Sequence, residues 1–282
     1  MLAEDDPARA LGPALAWARR RGTDALHLLA ESSTGVLARR AAAFDWPISV
    51  WHVEGRTLLP AIAEPLTPPP PSRAEHEALI PAIADGGARP VIEHGVVFGE
   101  VRGLEVCRVV DDSATGAVRL EVGVGVHDRE AFALMHGDVP TVEALRRVVD
   151  AVTRYRQPGV VEHPLSRLVP ERLLRWELEQ EPGSIGLASL VATEPPVPRP
   201  NAKERMACSA LGATPDGGRV VVVCSVGVDL DVVPYAADAR LAAADAVATW
   251  VVAPERDLVP ITAELTQLLH RPARLVPAPT AI

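Results

Sequence analysis

The chain has 282 residues, of which 48% are hydrophobic, 23% charged and 4% aromatic, and its formal net charge is −9. That length accommodates one large domain or two of ordinary size, with a core that Val, Leu and Ala must fill. The negative balance argues against a broad nucleic-acid surface, and no apolar run reaches the length of a membrane helix.

The start, "MLAEDDPARA", is acidic and leads into no signal-like apolar stretch, so a cytoplasmic protein is expected. Cys107, Cys208 and Cys224 are odd in number and lack metal-type spacing, which fits reduced thiols. Arg19-Arg20-Arg21 and Arg39-Arg40 can touch phosphate, but they fall near the ends of expected helices, where cations complement the dipole. Residues 24–53 read strand, helix, strand, with the second strand following a proline. Next comes "LTPPPPSR" at 66–73, whose four consecutive prolines belong in an extended connector; a proline-recognition ligand is the rarer alternative.

From Glu105, "EVCRVVDDSATGAVRLEVGVGVHD" reads as a strand, a polar turn and a longer valine-rich strand. "REAFALMH" then continues as a candidate helix, and Thr141 caps the amphipathic "VEALRRVVDAVTRY". The segment "PERLLRWELEQEP" and a second Pro-rich stretch, "TEPPVPRPN" at 193–201, lead to a second hairpin from Ala207, "ACSALGATPDGGRVVVVCSVGVDL". At a constant offset of 102 residues, Gly116, Val118, Val124, Gly125 and Val126 fall on Gly218, Val220, Val226, Gly227 and Val228. The chain ends on a helix, "VPYAADARLAAA", and a strand-helix-strand unit from Asp245 that alternates as residues 24–53 do.

These matches suggest a pseudo-symmetric, duplicated α/β architecture. Mixed sheets, built from hairpins and parallel strand-helix-strand units, would be flanked by helices. The expected organisation is an N-terminal half over residues 1–160, a helical and Pro-rich connector over 161–203, and a C-terminal half over 204–282.

Gly123 and Gly125 do not make a phosphate loop. They precede the candidate helix within an apparent strand, no third glycine follows, and close packing by a helix is the simplest reason for them. His127, Asp128, Glu130 and His136 lack the spacing of a zinc motif; Asp128 reads as a helix cap, and His136-Gly137 as a helix end. No G-x-S-x-G elbow occurs.

The first hairpin carries Glu105, Asp112 and Glu121 where the second has Ala207, Thr214 and Val223. Such oxygens can seat a divalent cation. With Glu77 on a preceding helix, the hairpin carboxylates and Glu121-Val122-Gly123, residues 74–150 resemble a degenerate PD-(D/E)xK nuclease core. That family places a lysine where this chain has Gly123, and Lys203 is the sole lysine. Arg119 or Arg129 can substitute electrostatically but not as a base.

The resemblance implies a nuclease-like fold without the activity: a non-catalytic scaffold for a protein partner or for self-assembly, needing no cofactor. Two alternatives stay open. One is a Mg- or Mn-dependent hydrolase using Glu105, Asp112 and Glu121, with His127 as the base. The other is a small-molecule or nucleotide binder with its site at strand-to-helix loops, "LAESSTG" at 29–35 or "VAPERD" at 252–257.

Overall fold

The computed structural model describes the chain apart from residues 4–5, 113–114, 126–128, 130–140, 158–162, 200–203 and 280–282. It is an α/β protein with three β-sheets flanked by helices. Two compact units divide it. The first comprises Met1–Thr67, Glu181–Pro196 and Ala207–Thr280; the second comprises Pro68–Gln180 and Val197–Met206. The N-terminal 160 residues are thus shared between the units, and two of the chain crossings, after Thr67 and after Pro196, fall in the Pro-rich connectors. No helix among the described residues is long and apolar enough to cross a membrane.

In the first unit, strands β1 (Leu2–Ala3), β2 (Leu26–Ala30) and β3 (Ile48–Glu54) lie side by side and parallel. Helices α1 (Leu11–Arg21) and α2 (Thr34–Ala41) connect them, and β4 (Thr57–Pro60) adds an antiparallel edge.

The second unit follows in the chain. Its strands β5 (Arg89–Glu93), β6 (Val96–Val101), β7 (Leu104–Asp111) and β8 (Val118–Val122) form an antiparallel meander. Helices α3 (Ala74–Glu77) and α4 (Ile80–Asp85) precede the meander, and α5 (Thr141–Tyr155), α6 (Pro164–Arg167) and α7 (Pro170–Gln180) follow it. One face of the meander packs Val106, Cys107, Val109 and Val122 against Ile83 of α4 and Leu145 and Val152 of α5. Gly99 is required at that seam: a Cβ there would lie 2.6 Å from Cys107 Sγ and 2.7 Å from Ile83 Cγ2.

The chain then returns to the first unit through β9 (Ser189–Ala192), β10 (Cys208–Ala213) and β11 (Arg219–Cys224). Parallel strands β12 (Ala248–Ala253) and β13 (Arg274–Pro277) extend the sheet from β11, linked by α8 (Val232–Ala242) and α9 (Pro260–Gln267). Both parallel strand-helix-strand units expected at the chain ends therefore form. Helix α1 packs on α8 and α9, and α2 packs on α8. A two-bond antiparallel bridge joins the segments after α2 and α9: Asp45 N donates to Leu268 O at 2.7 Å, and His270 N to Ala43 O at 2.9 Å. Helix α8 is buried along most of its length, which its alanine-rich, almost uniformly apolar sequence permits.

The two hairpins aligned in the sequence share antiparallel pairing but not register. Cys107 pairs with Val122, whereas Cys208 pairs with Cys224, so the offset is 101 residues on the first strand and 102 on the second. Their surroundings differ too, since β7 lies between antiparallel neighbours and β11 borders the parallel β12.

At Gly125, close packing by a described helix is not the reason for the glycine. Strand β8 ends at Val122, so Gly123 and Gly125 lie beyond it, with φ of 138° and 83°. A Cβ on Gly125 would meet nothing within 4 Å among the described residues, so none of the described helices is packed against it. Gly227 likewise follows β11 with φ of 84°. Both positions are glycine because the chain leaves each strand through a left-handed residue.

Candidate functional site

A β-bulge gathers the carboxylates of the first hairpin. On β6 and β7, Gly99 pairs with Cys107 but Glu100 pairs with Glu105, leaving Val106 as an extra residue. In a straight strand, residues three apart face opposite sides. The inserted residue turns Glu105 and Arg108 to the same side, where Arg108 Nε and Nη2 donate to the two Glu105 oxygens at 2.8 and 2.7 Å. This bidentate pair raises the Arg108 pKa above its usual value. Across the ladder Arg108 sits opposite Glu121, and Arg119 is two residues away on the same face of β8.

Arg129 closes the arrangement. Its side chain is 7% exposed, and its Nη1 donates to Glu105 Oε1 at 2.9 Å while Nε lies 3.5 Å from Glu121 Oε2. Arg119 in turn bridges Glu121 at 2.7 Å and Asp112 at 3.0 Å. Glu105, Asp112 and Glu121 are therefore linked, but through guanidinium groups. Asp112 also holds the hairpin turn, accepting from Thr115 N and Oγ1. Among the described residues, no group of three or more His, Cys, Asp or Glu side chains is arranged to hold a metal ion.

Electrostatics explain the arrangement. A cation at Glu105 and Glu121 would compete with a fixed, nearly buried guanidinium, and evicting it would strand a buried charge, which is costly. Glu77, the helix glutamate of the nuclease resemblance, is exposed and accepts a hydrogen bond from Ser72. His127, Asp128, Glu130, His136 and Lys203 lie outside the described residues. In the sequence Arg129 stands out only as a substitute for the lysine. Its role as the bridge depends on the bulge at Val106, which has no sequence signature.

The strand-end loops present carboxylates. Ser33, before α2, has φ of 55° and makes no capping bond, and Glu64 lies over Gly35 in the first turn of α2. In the other loop Asp257 Oδ2 accepts from Gly227 N at 2.7 Å, tying the turn after β12 to the turn after β11. The three cysteines are buried and not in disulfides, and burial pushes the Cys107 thiol up to about 12.

Comparison with protein-family models, with curated proteins and with solved structures finds no match.

Proposed function

We propose that the protein is a non-catalytic α/β scaffold that works by binding a protein partner or a second copy of itself. The observation that carries this reading is the Arg129 guanidinium between Glu105 and Glu121. It fills the space a metal-dependent hydrolase would keep for its cation, and being permanently protonated it cannot serve as the base. On this reading the nuclease resemblance concerns the fold more than the activity, with Gly123 standing at the lysine position. An apolar edge supports a binding role: Leu58 and Leu59 of β4 are 48% and 43% exposed, and Ile62 beyond it is 87% exposed. Pro60 removes one donor from this edge, which limits uncontrolled strand addition.

Calorimetric titration with magnesium and with manganese, paired with plasmid and oligonucleotide cleavage, tests the reading. No cation binding and no cleavage are expected. Cleavage abolished by Glu105→Gln and by Glu121→Gln would replace the scaffold with the hydrolase. Light scattering across a concentration series reads self-association directly.

A further inference from the structure

A cleft of about 540 Å³ opens in the first unit, between the C-terminal parts of α2 and α8 and the segment Leu269–Arg271. Its size falls within the range of roughly 300 to 1,000 Å³ typical of small-molecule sites. Much of the wall is apolar, formed by Ala42, Ala43, Ala236, Leu241 and Leu269. Four guanidinium groups, from Arg39, Arg40, Arg240 and Arg271, line it against a single carboxylate, Asp238.

The four arginines are not equivalent. Arg39 and Arg40 are committed to Asp238, at 3.0 and 2.7 Å. Arg240 donates to Ala243 O, and neither it nor Arg271 forms an ion pair among the described residues. These two cations oppose each other electrostatically. The Arg240 pKa is lowered, first by burial and then by the Arg271 charge, with Asp245 acting in the other direction. Asp245 is itself paired with Arg219. A helix C-terminus accounts for one arginine at the end of α8. It does not account for Arg271, which lies beyond α9 on a different segment.

The geometry points to a binding site for a small amphipathic anion, its oxyanion head held by Arg240 and Arg271 and its apolar body against the alanine and leucine wall. Two guanidinium groups lining one cleft suit a carboxylate or phosphate, whose charge would relieve their repulsion. The apolar wall explains why a bare inorganic ion would leave most of the cleft unused. This site is independent of the carboxylate network and adds a ligand to the binding role proposed above.

The test is calorimetry on the full chain with octanoate, octyl phosphate, octanol and inorganic phosphate. Octanoate and octyl phosphate separate the carboxylate source from the phosphate source of the same chemistry, and binding of either supports the site. Neither arginine forms an ion pair among the described residues, so Arg240→Ala/Arg271→Ala should lose little stability beyond the Arg240 bond to Ala243 O while weakening anion binding about tenfold or more. Leu241→Asp, at an exposed position, should weaken it as well. Octanol binding as tightly as octanoate, inorganic phosphate binding as tightly as octyl phosphate, anion binding unaffected by the double substitution, or no binding of either anion would each overturn the proposal. None of these outcomes bears on cation binding at Glu105 and Glu121, so the two readings fail separately.

Discussion

Arg40 Nε donates to Asp238 Oδ2 at 2.7 Å, with each side chain only 2% exposed. Burial works against the Arg40 charge, but Asp231 and Asp238 outweigh it and raise its pKa. The pair joins α2 of one parallel unit to α8 of the other, and Arg39 donates to the same carboxylate. Asp238→Ala would leave Arg40 buried with Asp231 as its one remaining carboxylate partner among the described residues, costing about 3 to 5 kcal/mol. Replacing both partners, as Arg40→Met/Asp238→Leu, should cost less than the sum of the single changes. Urea unfolding of the native chain, Arg40→Met, Asp238→Leu and the double variant closes the cycle and measures the difference.

Stability should fall as pH rises from about 4 to about 8. Burial pushes Asp231 up to about 7, with Asp229 and Asp238 adding to it against Arg40 and Arg9. Burial also pushes Glu177 up to about 7, against the pull of Arg156 and Arg102. Neither Glu177 oxygen has a hydrogen-bond partner among the described residues. A carboxyl whose folded pKa is raised holds its proton more tightly when folded. Its stabilising contribution is full below the unfolded value, near 4, and is lost as pH climbs through about 7. Each pH unit separating the folded from the unfolded pKa is worth about 1.4 kcal/mol, less for the half-buried Glu177. Melting temperatures across this range should slope downward, and Asp231→Asn should flatten the slope; an unchanged slope in that variant would contradict the assignment.

Local signals made much of this fold legible. The valine-rich runs announced β8 and β11, the prolines read as extended connectors, and residues 24–53 and 245–278 announced their parallel strands. What escaped the sequence was non-local. Nothing near Leu26 says that its helices pack against α8 and α9, more than two hundred residues away. Offset matching also tolerated a one-residue slip between the hairpins, because a valine-rich strand resembles itself when shifted. The bulge at Val106 depends on pairing with Gly99 and Glu100, and without it Glu105 and Arg108 read as facing apart.

At Gly125 the same limit acts on a single residue. Overpacking is the wrong cost to assign there, because the space around a new Cβ is empty. The cost is conformational: φ of 83° is a region that L side chains rarely adopt. Gly125→Ala should destabilise by about 1 to 2 kcal/mol, and Gly125→Asn by less, because asparagine tolerates left-handed backbone best. Equal losses for Ala and Asn in chemical denaturation would point to contacts instead of backbone.

Arg129 permits a test in the opposite direction from inactivation. In the native chain its guanidinium lies between Glu105 and Glu121, and Arg119 spans Glu121 and Asp112. Removing the first cation with Arg129→Ala leaves two carboxylates facing each other without their shared counter-charge. Stability should drop by about 3 kcal/mol, the scale for breaking a mostly buried ion pair. Manganese should then bind where it did not before, competing only with the half-exposed Arg108 on Glu105 and Arg119 on Glu121, and binding should recover part of the lost stability. Arg129→Ala/Glu121→Gln should lose the manganese effect while keeping the melting temperature near that of the single variant, because it removes both the repulsion and a ligand. The measurement is the melting temperature of all three proteins with and without millimolar manganese. A manganese-dependent rise already present in the native chain would mean that Arg129 does not block the carboxylates, and the non-catalytic reading would fall with it.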